Sequence, residues 1–134
     1  MKAADTCAPH PAGRLKRSDN LRCLLLLFSS PVQHREAEHV LEKARTLSAA
    51  GHTVSIFLLG DGVYNASARL AEPGGAEVVA GFAGLTGVRL EGCSTCSAMR
   101  GVHTAIPGAK IGGLEDLVDA IENADAVFNY TAEE

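Results

Sequence analysis

Two cysteines, Cys93 and Cys96, stand as C-x-x-C within residues 88–101, the one stretch of the chain where reactive side chains converge. A thiol attacks or carries sulfur as its thiolate, so a working cysteine needs a helix N-terminus, a nearby cation, or both. Residues 88–91 read as a short strand and residues 95–100 as a helical turn. Cys93 then falls where the carboxyl edge of a sheet meets a helix N-terminus, whose partial positive charge favours an anion. Arg100 follows seven positions later, roughly beneath the same helix face, and His103 is a nearby candidate proton donor or acceptor. Cys93 is the expected nucleophile. Cys96, inside the first turn, is expected to be less reactive: a resolving thiol at most, or merely packed.

Four chemistries fit this pair. Cys93 accepts and passes on a sulfane sulfur as a persulfide, or Cys93 and Cys96 form a redox dithiol, as C-x-x-C near a βαβ pattern suggests. A thioredoxin-like chain, however, carries its pair early, whereas here it follows the third strand. In the third reading the cysteines hold zinc with His103 or an N-terminal residue, but one C-x-x-C is half a site. In the fourth both thiols are buried and inert.

The elements that must position the pair follow from apolar patterning. Residues 21–28 form a continuous apolar run, as expected of a central strand covered on both faces, with Cys23 as core packing. Ser30-Pro31-Val32-Gln33 matches a capping box with proline at the first helical position, and predicts a helix start. Ala37, Val40, Leu41, Ala44 and Leu47 then trace one buried stripe, ended by Gly51 as the residue after the cap. His34 and His39 fall off the stripe and read as solvated.

Residues 53–59 form a second strand, making a βαβ unit with parallel strands and a right-handed crossover. The loop from Gly60 to Asn65 then lies at a carboxyl edge, where α/β proteins place their sites. Asp61 in this loop reads as a helix cap, with a general acid or base role as the alternative. Residues 63–71 and 76–85 are expected helical pieces on either side of Pro73-Gly74-Gly75. The glycines have neither dinucleotide-binding nor Walker spacing, so phosphate binding is not supported. Residues 103–109 form a loop and residues 110–112 a brief strand. Leu114, Leu117, Val118 and Ile121 mark an amphipathic helix, and residues 126–130 a last strand. The alternation predicts a three-layer α/β/α sandwich with a mostly parallel sheet of about five strands.

Composition agrees with one such domain. Of 134 residues, 46% are hydrophobic and 21% charged, and with no Trp and four Phe the core must be aliphatic. A formal charge of −4 gives no electrostatic footprint for nucleic acid. No run approaches the apolar length a membrane span needs. The basic residues Arg14, Lys16, Arg17 and Arg22 precede an apolar centre too short for a signal peptide, and removing it would delete the first core strand. Four cysteines in a chain this long suggest a reducing compartment rather than a disulfide scaffold. Residues 1–20 lack periodicity and are expected to form a mobile arm that adds nothing to fold or chemistry, with residues 21–134 as the domain. Cys7 and His10 lie in that arm, which cannot hold metal ligands in geometry.

In its order of features the chain resembles the DsrE/DsrF/TusD family of small sulfur-relay proteins. The matching features are the aliphatic first strand, the Gly51-His52 turn into the second, Asp61-Gly62-Val63-Tyr64-Asn65, Gly87-Val88, the Cys93 segment ending Arg100-Gly101-Val102, and Ile111-Gly112-Gly113-Leu114. The resemblance implies a three-layer α/β fold with a parallel sheet, a cytoplasmic location, homo-trimers or hexamers, and sulfur transfer through one cysteine, with small sulfur-carrier proteins or sulfane-sulfur donors as partners; no cofactor or metal is expected. In sulfur-relay members that cysteine lies eight residues before the glycine of the Arg-Gly-Val step, which is the position of Cys93. Cys96 stands where such members often carry a small or apolar residue, and so departs from the pattern. Members without the cysteine act as partner subunits, so a non-catalytic assembly subunit and a C-x-x-C redox protein are the alternatives. Apolar stretches such as residues 78–85 add to the expectation of an oligomer, with core packing of part of that run as the alternative.

Overall fold

The computed structural model describes residues 6–7, 20–32, 35–68 and 75–131. Its elements are β1 (Thr6–Cys7), β2 (Arg22–Leu27), α1 (Glu36–Ala49), β3 (Thr53–Leu58), a 3-10 helix (Gly60–Ala66), α2 (Gly75–Ala83), β4 (Val88–Cys93), α3 (Ser94–Met99), β5 (Ala109–Gly112), α4 (Leu114–Asn123) and β6 (Ala126–Tyr130). The sheet order is β1-β6-β2-β3-β4-β5. β6 to β5 form the five-stranded parallel sheet expected, and β1 adds a two-residue antiparallel edge, pairing Thr6 with Asn129 and Cys7 with Phe128. The rest of the expected arm lies outside the described residues.

β2 is buried on both faces because its side chains alternate between two cores. Cys23, Leu25 and Leu27 pack with Val40, Leu41 and Ala44 of α1 and Val78, Val79 and Phe82 of α2. Leu24 and Leu26 pack on the other side with Phe57, Cys93 and Ala124, against Leu117 and Ala120 of α4. The strand order explains the two layers. From β2 to β5 the chain steps across the sheet in one direction, then returns to the far side of β2, and with right-handed connections that reversal moves α4 to the opposite face.

Local chemistry differs from expectation in four places. Ser30 does not start α1: its Oγ accepts the Val32 N–H at 3.4 Å, a local turn that diverts it from helix capping, and α1 begins at Glu36. Gln33 and His34 lie outside the described residues. His39, read as solvated, is half-buried, with its Nδ1 enclosed and unpaired. The helix expected over residues 63–71 is instead a 3-10 helix ending at Ala66, after which Ser67 bridges to Ala105; residues 69–74 lie outside the described residues. Residues 78–85, whose apolar surplus suggested an interface, deliver Val78, Val79 and Phe82 to the core. The outward apolar surface is on α4, where Leu114, Val118 and Ile121 are 62%, 50% and 43% exposed while Leu117 and Ala120 face the sheet.

The end of α1 follows the sequence. Gly51 has φ +93°, its N–H bonds the Ser48 carbonyl, and the His52 N–H bonds the Leu47 carbonyl, the double bond of a glycine-terminated helix. Among the described residues no helix is long and apolar enough to cross a membrane.

The 3-10 helix lies across the end of β2 at Gly62, where a Cβ would overlap the Leu27 carbonyl oxygen and come within 2.9 Å of its carbon. Neither backbone is able to retreat, because Leu27 O accepts the Leu59 N–H at 2.9 Å and Gly62 donates to Leu59 O at 2.8 Å. Gly62→Ala is therefore expected to destabilise the fold by about 1–3 kcal/mol, as overpacking of a closed site does, seen as a lower denaturant midpoint with an unchanged slope.

Candidate functional site

Cys93 is the last residue of β4 and the N-cap of α3. It sits where strand ends and helix begins, and its sulfur takes the place of the usual capping oxygen: Sγ accepts the Cys96 N–H at 3.5 Å. The C-x-x-C spacing is thus the N-cap-to-N3 spacing of a short helix. A backbone donor aimed at sulfur stabilises negative charge there. Cys93 is nevertheless only 3% exposed, enclosed on the α4 side of the sheet by apolar neighbours, whereas Cys96 is half-buried and touches both cores. Both thiols are free.

The carboxyl ends of β2, β3 and β4 are knitted together above this point. Asn65, fully buried, donates through Nδ2 to the carbonyls of Ser29 and Gly62, both at 2.9 Å, locking the loop after β2 to the 3-10 helix after β3. Asp61 protrudes from the same helix, but does not cap it. Its Oδ1 instead accepts Arg100 Nε at 2.8 Å, and Arg100 Nη1 donates to the Cys96 carbonyl at 3.4 Å. Arg100 is therefore drawn across to the 3-10 helix, and braces α3 through Cys96. His103 is exposed in the loop after α3 and makes no hydrogen bond with this group. That loop is tied back by Ile106 N–H to Ala66 O and Ala68 N–H to Thr104 O. Of the residues singled out from sequence, the fold links Cys93, Cys96, Arg100 and Asp61 in one hydrogen-bonded series and leaves His103 outside it.

Sequence reasoning passed over Asn65 as a structural residue, although it stands in the Asp61–Asn65 loop, and passed over Glu91. The only signal for Glu91 was an acid inside an apolar strand. Among the described residues, no group of three or more His, Cys, Asp or Glu side chains is placed to hold a metal ion.

The hydrogen bond from Asp61 is the chief reason Arg100 is held above its ordinary pKa, with partial burial pulling the other way. A raised folded value leaves the pair's contribution complete at neutral pH, to be lost only as pH rises through that value, beyond the reach of ordinary alkaline titration. Both side chains are partly solvated, 28% exposed for Arg100 and 45% for Asp61, which keeps the interaction modest. A double-mutant cycle of Asp61→Asn and Arg100→Ala is expected to give a coupling of about 0.5–1 kcal/mol in stability, the same at about pH 7 and about pH 10.

Comparison with known proteins agrees with the geometry. The model of the DsrE/DsrF-like family matches residues 23–130. No curated protein matches the chain. Among solved structures, the crystal structure of the ychN protein from E. coli superposes with a TM-score of 0.66 at 21% sequence identity, covering 82% of this chain and 99% of that one, a likeness that speaks to fold alone. The parallel sheet with α4 returned to its far face, the cysteine at the end of β4 and the match over residues 23–130 have one conclusion: the chain belongs to the DsrE/DsrF-like family.

Proposed function

We propose that this protein is a sulfur-relay sulfurtransferase that carries sulfane sulfur as a persulfide on Cys93. The family is in general associated with sulfur relay. The observation that carries the finer reading is the Cys93 sulfur at the carboxyl end of β4, accepting the Cys96 N–H, with Arg100 held beside that turn by Asp61. In the loading step the Cys93 thiolate attacks the outer sulfur of a donor persulfide. A new S–S bond forms as the donor's S–S bond breaks, and the electron pair leaves on the donor thiolate. Delivery is the same exchange in reverse, with an acceptor thiolate attacking the outer sulfur on Cys93. The N–H that holds the Cys93 sulfur is placed to hold the anion it becomes when the sulfur has left. Cys96, half-buried in the first turn of α3, is the resolving thiol in this reading.

The burial of Cys93 favours a second reading, a non-catalytic assembly subunit that binds sulfur-relay partners, because a 3% exposed thiol among apolar side chains is also what an inert core cysteine looks like. Under the first reading α3, only six residues long, shifts to uncover the sulfur when donor or partner docks. Incubation with a sulfane-sulfur donor followed by intact mass separates the two. The carrier gains one sulfur atom, lost in Cys93→Ser and kept in Cys96→Ser; absence of any gain with several donors points to the subunit.

Assembly into homo-trimers or hexamers is part of the same proposal, as is a cytoplasmic location, where free thiols persist. Its support is the outward stripe of Leu114, Val118 and Ile121 on α4, with exposed Ile111 and Met99 elsewhere on the surface. Light scattering at micromolar concentration is expected to give a multiple of the chain mass, and Val118→Asp to lower it; a monomer mass for the unaltered protein would remove the claim.

A further inference from the structure

Cys93 and Cys96 share one turn of the chain but meet their surroundings differently. Cys93 belongs to the apolar cluster between the sheet and α4, with Leu24, Leu26, Phe57 and Ala124. Cys96 is half-buried and packs on the outside of that same cluster, together with half-buried Phe28 and Leu59. Phe28 follows the last residue of β2, and Leu59 the last residue of β3. Leu27 pairs with Leu58, and Leu58 with Gly92, so Phe28, Leu59 and Cys93 stand at one level on the ends of three adjacent strands. Among the described residues, Cys96 is the one thiol in the shell around Cys93, and it is the more open of the two.

Cys96 is also the thiol whose residue is tied to the cation. Arg100 Nη1 donates to the Cys96 carbonyl at 3.4 Å while Nε is held by Asp61 at 2.8 Å. After the hydrogen bond from Asp61, the charge of Cys96 is among the lesser causes that hold Arg100 above its ordinary pKa. A guanidinium there attracts the negative charge that Cys96 carries before it takes sulfur and again after it has passed sulfur on. Cys93 has instead what a store needs: an N–H on its sulfur and closed apolar surroundings that keep competing thiols away.

We propose that Cys96 is the receiving thiol of the relay and passes sulfur inward to Cys93, an inference that rests on the reading of Cys93 as a persulfide carrier. The Cys96 thiolate attacks the outer sulfur of the donor persulfide. A new S–S bond forms as the donor's S–S bond breaks, and the electron pair leaves on the donor thiolate. The Cys93 thiolate then attacks the outer sulfur of the Cys96 persulfide, and the electron pair of the broken bond returns to Cys96 as thiolate. The outer sulfur keeps its proton throughout, and neither step needs an oxidant or a reductant. The two cysteines are the N-cap and N3 residues of one turn, with the Cys96 N–H already on Cys93 Sγ, so the inner transfer needs side-chain rotation in place of the displacement of α3 that direct loading needs. The same Cys96 thiolate brings the sulfur out again when it attacks the outer sulfur, and resolves the persulfide when it attacks the inner one.

The test is rapid-quench loading of the full chain with glutathione persulfide, trapped by iodoacetamide, with the sulfur located by peptide mass. The unaltered protein is expected to carry sulfur first on Cys96 and then on Cys93. Cys96→Ser and Cys96→Ala are expected to reach the same final load on Cys93 at a rate lower by about tenfold or more, because sulfur then enters only when α3 opens. In Cys93→Ser the trap is expected to find sulfur on Cys96 while donor is plentiful, and none once the donor is spent and its thiol product has accumulated, since an open persulfide returns its sulfur to solvent thiols. That variant keeps the test open should the Cys96 variants not fold. Loading of Cys96→Ser and Cys96→Ala at the unaltered rate overturns the relay and leaves the carrier reading standing, whereas no gain of sulfur by the unaltered protein overturns both. The relay is also overturned by early sulfur on Cys93 alone, by no sulfur on Cys96 at any time in Cys93→Ser, or by a Cys93–Cys96 disulfide with sulfide released and no sulfur retained, which would make Cys96 a resolving thiol only.

Discussion

Gly62 meets the carbonyl of Leu27 with no room for a side chain between them, and the arrangement at the carboxyl edge depends on that approach. Because the 3-10 helix lies flat across the end of β2, Asn65 reaches both Ser29 and Gly62, and Asp61 is carried out towards α3. Arg100 then has a fixed anion to meet, and through the Cys96 carbonyl it steadies the turn whose N-cap is Cys93. A contact between two backbones thus sets the frame of a thiol more than sixty residues along the chain from Leu27. Stability and chemistry share the same few ångströms.

The two faces of the sheet are unequally covered. α1 and α2 together bury one face in a large aliphatic core, while the other has α4 and a smaller cluster that includes Cys93. A ten-residue helix covers that face incompletely. One consequence is an amphipathic helix with apolar residues on two sides, Leu117 and Ala120 inward and Leu114, Val118 and Ile121 outward. Another is a polar hollow in which Glu91 occupies a position that a fully packed layer would give to an aliphatic side chain. The exposed apolar stripe and the buried Glu91 both run against the usual sorting of side chains on this thin side, while α1 on the thick side buries one acid of its own, Glu36.

Much of the architecture was legible because it rests on local periodicity. The apolar runs at β2 and β3 and the alternation of strands with helical stripes defined the parallel sheet, and Gly51 ended α1 because only a left-handed residue completes that cap. Cys93 was placed at a strand-to-helix junction by the same patterning. The start of α1 was not legible, since Ser30 accepts the Val32 N–H in a local turn and α1 begins only at Glu36. Nor was the length of the 3-10 helix, because Ser67 was captured by a bridge to Ala105, distant in sequence.

The sequence by itself determined the five parallel strands, the main helical stripes and which thiol ends β4, because those properties depend on residues within a turn or two of each other. The tertiary structure alone decided that Asp61 pairs with Arg100, that Cys93 is enclosed while Cys96 is half-buried, that the apolar surplus of α2 goes inward while that of α4 goes outward, and that Glu91 and Asp116 converge over Gly112. Each of these depends on strand order and on which face a crossover covers. The order is set when β6 returns to the far side of β2, a choice made by the packing of the whole sheet.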